Sequence, residues 1–176
     1  MIIQSKDTLP YQVLKVYETV RDHQADLVPY MPDIRAVEVI EREEQPDQKV
    51  RLLNHWHGAA EIPSLIKKFI KPEMMSWKDY ALWHDDELYV AWRLETFYLN
   101  DLFSCEGTTR FIKLDENKTE MLLKGDLKIN ASAVPGVPTF LARKLSPQIE
   151  SFIARLISPN LNNLSKGVLA YLNDQK

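Results

Sequence analysis

Three polar residues and four tryptophans carry most of the chemistry that this sequence can offer. The alternation of its strands turns Asn54, Asp79 and Arg110 inward. A buried charge must find a partner or cost several kcal/mol, so Asp79 and Arg110 either face one another as an internal ion pair or serve something that binds. In the second case Arg110 can grip a ligand carboxylate with two parallel hydrogen bonds while Asn54 or Asp79 meets a hydroxyl. Asp79, with Arg110 nearby, is also the candidate for proton transfer, the sequence's only opening for catalysis. Trp56, Trp77, Trp83 and Trp92 fall on the same inward faces. They are rigid, wide side chains with one N–H donor each, suited to filling a core or to walling a cavity for a flat or long apolar guest. Met121 and Leu123 on a later strand, and Ile153 and Leu156 on the tail, complete the expected ligand-binding set.

Other reactive residues lead less far. His55 and His57 lie two apart on one strand, so both imidazoles project from the same side, a geometry that can hold a metal. They share the expected outer face with Lys49 and Arg51, the sequence places no third ligand, and no metal and no cofactor are expected. His23 and His84 have solvated helix and loop contexts. Ser104, Cys105 and Glu106 have no positioned histidine and no nucleophile signature, so covalent catalysis has no support; Cys105 reads as a small buried apolar residue. In "IPSLIKKFIKPEMM", Ile62, Leu65, Ile66, Phe69 and Ile70 combine with Lys67, Lys68 and Lys71. That mixture reads as a short amphipathic helix: packed on the sheet edge with solvated lysines, or a lid that gates the cavity, or a surface helix whose lysines meet anionic headgroups, a transient membrane contact through residues Ile62 to Met75.

The elements that must position these residues follow from patterning. At 176 residues, 45% hydrophobic and 27% charged, the chain has the composition of one globular domain spanning 1–176. A net charge of −3 argues against a general nucleic-acid binder. No apolar run approaches a membrane span, the N-terminus lacks a secretory layout, and the lone Cys105 cannot form an internal disulfide, which together point to a reducing, cytoplasmic setting. After an apolar start, Thr8 and Pro10 open a helix carrying Val13, Val16, Tyr17 and Val20, which stops before "VPYMP".

Three hairpins come next. "IRAVEVIEREE" and "KVRLLNHW" flank "QPDQ", setting Glu44 opposite Lys49 and Val39 opposite Asn54, with Val37, Val39, Val50, Leu52, Asn54 and Trp56 on one face. "SWKDYALW" and "ELYVAWRLETFY" flank "HDD", and an even loop aligns Trp77, Asp79, Ala81 and Trp83 with Leu88, Val90, Trp92 and Leu94, whereas a one-residue slip would turn Tyr80, Leu82 and His84 inward instead. "TTRFIKL" and "TEMLLKGDLKI" flank "DENK"; loops of two or four residues both put Thr108, Arg110 and Ile112 on the face of Met121, Leu123, Gly125 and Leu127, and the longer sets Lys113 against Glu120. From Ile149 to Leu172 the period changes to 3.6, with Phe152, Ile153, Leu156, Ile157, Leu161, Leu164 and Val168 in phase across Pro159. This predicts one kinked helix, begun by Ser146 and Pro147 and roughly 40 Å long. Its stripe needs a partner of equal size, and the inner face of the sheet, curled around it, is the one available.

An N-terminal strand and helix, "VRDHQADLVPYMPDIRAVEVIERE" leading into "VRLLNHW", then "WKDYALW", "VAWRLE" and "TEMLLKGDLKI", and a long terminal helix together resemble the START-related, polyketide cyclase-like (SRPBCC) helix-grip superfamily. The resemblance covers nearly the whole chain and rests on order and spacing. It implies an α+β fold in which a curved antiparallel sheet of six or seven strands wraps a long kinked C-terminal helix. It also implies an elongated, mostly apolar cavity of the kind that holds lipids, sterols, polyketides or plant hormones. Pro147 and Pro159 depart from the pattern by interrupting the helix. With many apolar wall residues and few proton-transfer groups, the expected function is binding or carriage of a hydrophobic small molecule. The alternatives are a cyclase- or dehydratase-like enzyme acting on a polyketide or aromatic precursor, and a solidly packed interaction module without a ligand.

Overall fold

The computed structural model describes residues 1–97, 102–130, 132, 134 and 137–176. Seven strands form one antiparallel sheet: β1 (Ile2–Leu9), β2 (Ile34–Gln45), β3 (Lys49–Gly58), β4 (Ser76–His84), β5 (Tyr89–Thr96), β6 (Phe103–Asp115) and β7 (Lys118–Ile129). Their spatial order is β1-β7-β6-β5-β4-β3-β2, so β2 to β7 make a meander and the N-terminal strand returns to pair with the last one. Ile3 lies opposite Gly125 and Leu9 opposite Thr119.

Parity decides what each strand shows the interior, and the three hairpins resolve it differently. In the first, Asp47 and Gln48 take positive φ values of 60° and 53° in a three-residue turn. Gln45 therefore faces Lys49, and Glu44 faces Val50 rather than Lys49. A bulge between Val39 and Glu41 supplies the missing residue, which restores Val39 opposite Asn54 and Val37 opposite Trp56. Val37 is buried on this edge strand, but Val39 is 52% exposed and leaves the inner face. The second hairpin keeps the expected register, with Trp83 opposite Val90, Ala81 opposite Trp92 and Asp79 opposite Leu94, while Leu88 sits in the turn.

The third hairpin reverses. Its turn is the two residues Glu116 and Asn117, closed by the Asn117 amide donating to Asp115 Oδ1 at 2.8 Å. A bulge between Lys113 and Asp115 adds one residue to β6, and one residue flips a strand's faces. Gly107, Thr109 and Phe111 are thus paired with Gly125, Leu123 and Met121, and the inward set expected from sequence, Thr108, Arg110 and Ile112, falls on the other face. Lys113 meets Thr119 instead of Glu120; Glu120 pairs with Lys6 at 3.0 Å.

Helix α1 (Val13–Asp22) starts later than expected, since Thr8 and Leu9 still belong to β1 and Pro10 lies in the bend between them. A 3₁₀ turn, Ala25–Tyr30, carries the chain through Pro29. The tail forms two helices rather than one: α2 (Thr139–Asn162) begins seven residues before Ser146 and contains both prolines, and α3 (Leu164–Asp174) follows a break at Asn163. The stripe stays in phase nonetheless, with Ile149, Phe152, Ile153, Leu156, Ile157, Val168 and Leu172 buried. Helix α2 crosses the inner face of the sheet, touching β1 and β7. A Cβ on Gly58 would lie 2.7 Å from Leu156 Cδ1, so a glycine is what lets the helix settle against β3.

Residues 62–75 do not form the expected amphipathic helix. Bracketed by Pro63 and Pro72, they make successive turns and a 3₁₀ turn, Pro72–Met74, with Ile66 and Ile70 buried and Leu65, Lys67 and Lys68 exposed. No helix among the described residues is long and apolar enough to cross a membrane.

Candidate functional site

Where α2 breaks into α3, the helical layer and the sheet do not interdigitate fully. A narrow cavity of about 70 Å³ remains between them. All four tryptophans line it from the sheet side, with Leu123 beside them; Ile157, Leu161 and Leu164 close it from the helices, and Val20 and Met31 from below. Each tryptophan is set by its own packing. Trp56 and Trp77 stack at 6.4 Å with planes 9° apart. Trp83 meets Tyr17 edge-on at 5.3 Å. Trp92 lies over the facing pair Gly107 and Gly125, where a Cβ on Gly125 would come within 2.5 Å of its ring, and its N–H donates to Thr109 Oγ1 at 3.1 Å. Tyr17 fastens α1 to the same end of the sheet: its hydroxyl donates to Asp85 at 2.7 Å, and Arg21 pairs with Asp85 at 2.7 Å.

In sequence the chain matches no family model and no curated protein. In structure it is similar to TTHA0849 from Thermus thermophilus, with a TM-score of 0.69 at 19% identity over 100% of this chain and 99% of that one. It is similar as well to the ZhuI aromatase/cyclase from Streptomyces sp. R1128, with a TM-score of 0.64 at 20% identity over 99% and 92%. The di-domain aromatase/cyclase BexL from the BE-7585A biosynthetic pathway matches at a TM-score of 0.52 and 12% identity, over 94% of this chain and 47% of that one. The chain has the α+β helix-grip fold of these solved structures. Likeness at these identities carries the fold alone.

Within the helix-grip fold the polar centre of the cavity is Asp79. Its β3 neighbour Asn54 donates from Nδ2 to Asp79 Oδ2 at 3.2 Å. Burial pushes the Asp79 carboxyl up from 3.8 to about 6; the Asn54 hydrogen bond and the nearby Trp56 indole pull the other way and are outweighed. Asp79 Oδ1, Asn54 Oδ1, Gln24 Oε1 and the Trp83 N–H are buried with no hydrogen-bond partner among the described residues, while the Trp56 N–H acts on the Asp79 carboxyl. An unmet buried polar atom costs about 1–3 kcal/mol, so this cluster leaves an otherwise apolar slot with unsatisfied donors and acceptors.

The site expected from sequence needs one large correction. Arg110 is exposed on the outer face, its guanidinium 4.8 Å over the Tyr89 ring, because the bulge in β6 turned it away. It can neither pair with Asp79 nor hold a guest, and Asp79 makes no ion pair among the described residues. Trp56, Trp77, Asp79, Trp83, Trp92 and Leu123 do line the cavity, and Asn54 stands behind Asp79. Met121, Ile153 and Leu156 are buried outside its lining. Sequence reasoning missed Gln24, Thr109 and Asn160, which do line it. Asn160 had a signal: it keeps helical phase with Leu156 and Ile157, and an amide in an apolar stripe marks a polar spot, here with Nδ2 donating to the Leu156 carbonyl at 2.6 Å. Thr109 had none, since its face depended on the bulge.

Cys105, His23 and His84 lie outside the cavity lining. The Cys105 thiol is buried and pushed up to about 12, far from a nucleophile. His23, expected to be simply solvated, contacts Asp26 at 2.8 Å, and His84 stacks on Tyr89 at 4.2 Å.

Proposed function

We propose that this protein binds a small, largely apolar molecule in the tryptophan-walled cavity, with Asp79 and Asn54 as its polar anchor. The observation that carries the reading is the cluster of unmet polar atoms inside an apolar slot at the helix break. A flat guest would lie against the tryptophan walls, with a hydroxyl or carbonyl on it turned toward the Asp79 and Asn54 oxygens or the Trp83 N–H. The slot is narrow, so a guest of a few fused rings or a single chain enters only as Leu161 and Leu164 yield. That solved structures of the same fold include an aromatase/cyclase supports the reading at the level of fold only. A single domain in a reducing, cytoplasmic setting belongs to the same proposal, in keeping with the unpaired, buried Cys105.

Native mass spectrometry of protein purified without added ligand tests it, alongside Ala81→Leu, which fills the cavity from β4. A co-purified apolar molecule in the wild type that is missing from the folded Ala81→Leu variant is the expected result. A wild type that carries no guest and leaves its tryptophan fluorescence unchanged when titrated with polycyclic phenols would remove the proposal.

One observation favours a catalytic second reading: a carboxyl at about 6 exists in both proton states near neutrality. As a cyclase- or dehydratase-like enzyme, the protein would use Asp79 alone to take and return a proton on a bound aromatic precursor. Asp79→Asn separates the two readings, since a carrier keeps its guest while an enzyme keeps the guest and loses turnover.

A further inference from the structure

On the opposite face of the sheet from the cavity, β2 and β3 bring together a carboxylate and two imidazoles that the proposed function leaves unused. Glu38 is paired across the ladder with His55, and His57 follows two residues on, so all three project from the same side. The two rings lie 3.9 Å apart, inclined by 35°. His57 Nε2 is 3.7 Å from Glu38 Oε1, and one ligand atom from each of the three residues lies within 4.8 Å of the others. The Nε2 atoms of both His55 and His57 are buried and have no hydrogen-bond partner among the described residues. Two neighbouring imidazole nitrogens left unmet, beside a carboxylate too far to accept a hydrogen bond from either, are an unfavourable arrangement until something sits between them. The aromatic ring of Phe97 covers His55 at 4.0 Å and shields that side from water.

We propose that Glu38, His55 and His57 bind a divalent transition-metal ion of the zinc class. Two imidazoles and one carboxylate are a borderline donor set, matched to zinc and its neighbours rather than to calcium or magnesium, which take oxygen. Ligand atoms bound at about 2.0–2.2 Å in tetrahedral geometry stand a little over 3 Å apart, so the observed spacing closes on the ion with small side-chain rotations. Three protein ligands leave a fourth position open to water or to an anion. Lys78, opposite His55 on β4, is a cation facing the cluster, and its ammonium lies over the Phe97 ring at 5.0 Å. The strand carries the consequence through the sheet: Trp56 sits between the two histidines with its indole in the cavity, so an ion bound outside fixes the backbone that presents Trp56 and Asn54 inside.

Titration of the full chain with Zn²⁺ alone, followed by calorimetry and by melting, tests the site. One equivalent is expected to bind and to raise Tm, with Co²⁺ giving the intense visible bands of a tetrahedral centre. His57→Ala and the conservative Glu38→Gln should weaken binding by roughly tenfold or more, while His84→Ala, at the separate His84, Asp86 and Glu87 cluster, should change nothing. Circular dichroism shows whether each variant is folded, and the surface change Glu38→Gln keeps the test alive if His57→Ala is not. No binding by the wild type, or binding that survives Glu38→Gln and His57→Ala unchanged, overturns the proposal.

Discussion

Replacing Asp79 by asparagine should stabilise the protein at neutral pH and do little in acid. The folded carboxyl titrates near 6 against 3.8 when unperturbed, because burial disfavours its charged form. The folded chain therefore holds this proton more tightly than the unfolded chain does. Below about pH 3.8 both states are protonated and the group costs nothing. As pH rises from there to about 6 the unfolded state ionises first, and stability is lost along that interval. Above it the full penalty stands, of order 3 kcal/mol for a shift of about two units. Asparagine has no proton to lose and keeps an oxygen to accept from Asn54. Its advantage should grow by ~2–3 kcal/mol between pH 4 and pH 7.5, or ~2–4 °C of Tm for each kcal/mol in a chain of this size. Urea unfolding of both proteins at pH 4, 5, 6 and 7.5 measures it. Because the quantity is the change in ΔΔG with pH, the packing cost of the substitution and every other titrating group cancel. A difference that stays flat within ~0.5 kcal/mol would mean that Asp79 is hydrated or paired, and the account of the cavity's polar centre would fail.

Arg110→Met should leave guest affinity unchanged and cost at most ~1 kcal/mol of stability, the scale of an exposed cation–π contact, because Arg110 lies exposed on the outer face with its guanidinium over Tyr89; a tenfold loss of affinity would return it to the site. Gly125→Ala should destabilise by ~1–3 kcal/mol, read by urea unfolding, and shift the tryptophan emission, since the new methyl meets the Trp92 ring. Neutralising Lys67 and Lys68 should reduce co-sedimentation with anionic vesicles at low salt if the turns around exposed Leu65 touch a membrane surface; wild-type protein that stays in the supernatant would dispose of that contact.

What sequence could and could not say about this fold comes down to the difference between a face and a register. The inward positions of Trp77, Asp79, Ala81 and Trp83 were only partly legible: one parity buries three of the tryptophans, but the other would have turned Tyr80, Leu82 and His84 inward, and an even loop decided between them. The tail stripe was legible outright. It survived two prolines in α2 because α2 is held by burial of its stripe on the sheet rather than by unbroken backbone bonding, and the break came at Asn163, where no proline stands. Patterning there measures the tertiary environment directly.

The bulges were not legible, and they account for the largest errors. An extra residue in β2 restored a register that its three-residue turn would have lost, whereas an extra residue in β6 reversed one that its two-residue turn would have kept. In β6 the two parities compete on nearly equal terms: Thr109 and Phe111 on one face, Arg110 and Ile112 on the other. Aromatic burial decides, with Phe111 set edge-on to Tyr17 at 5.3 Å and Thr109 taking the Trp92 N–H, contacts made by residues distant in sequence. The outcome strips Asp79 of its expected cation and leaves a lone carboxyl among indoles, which is what raises its pKa. A single inserted residue in β6 thus separates an ion-paired structural core from a buried carboxyl without a cation beside it.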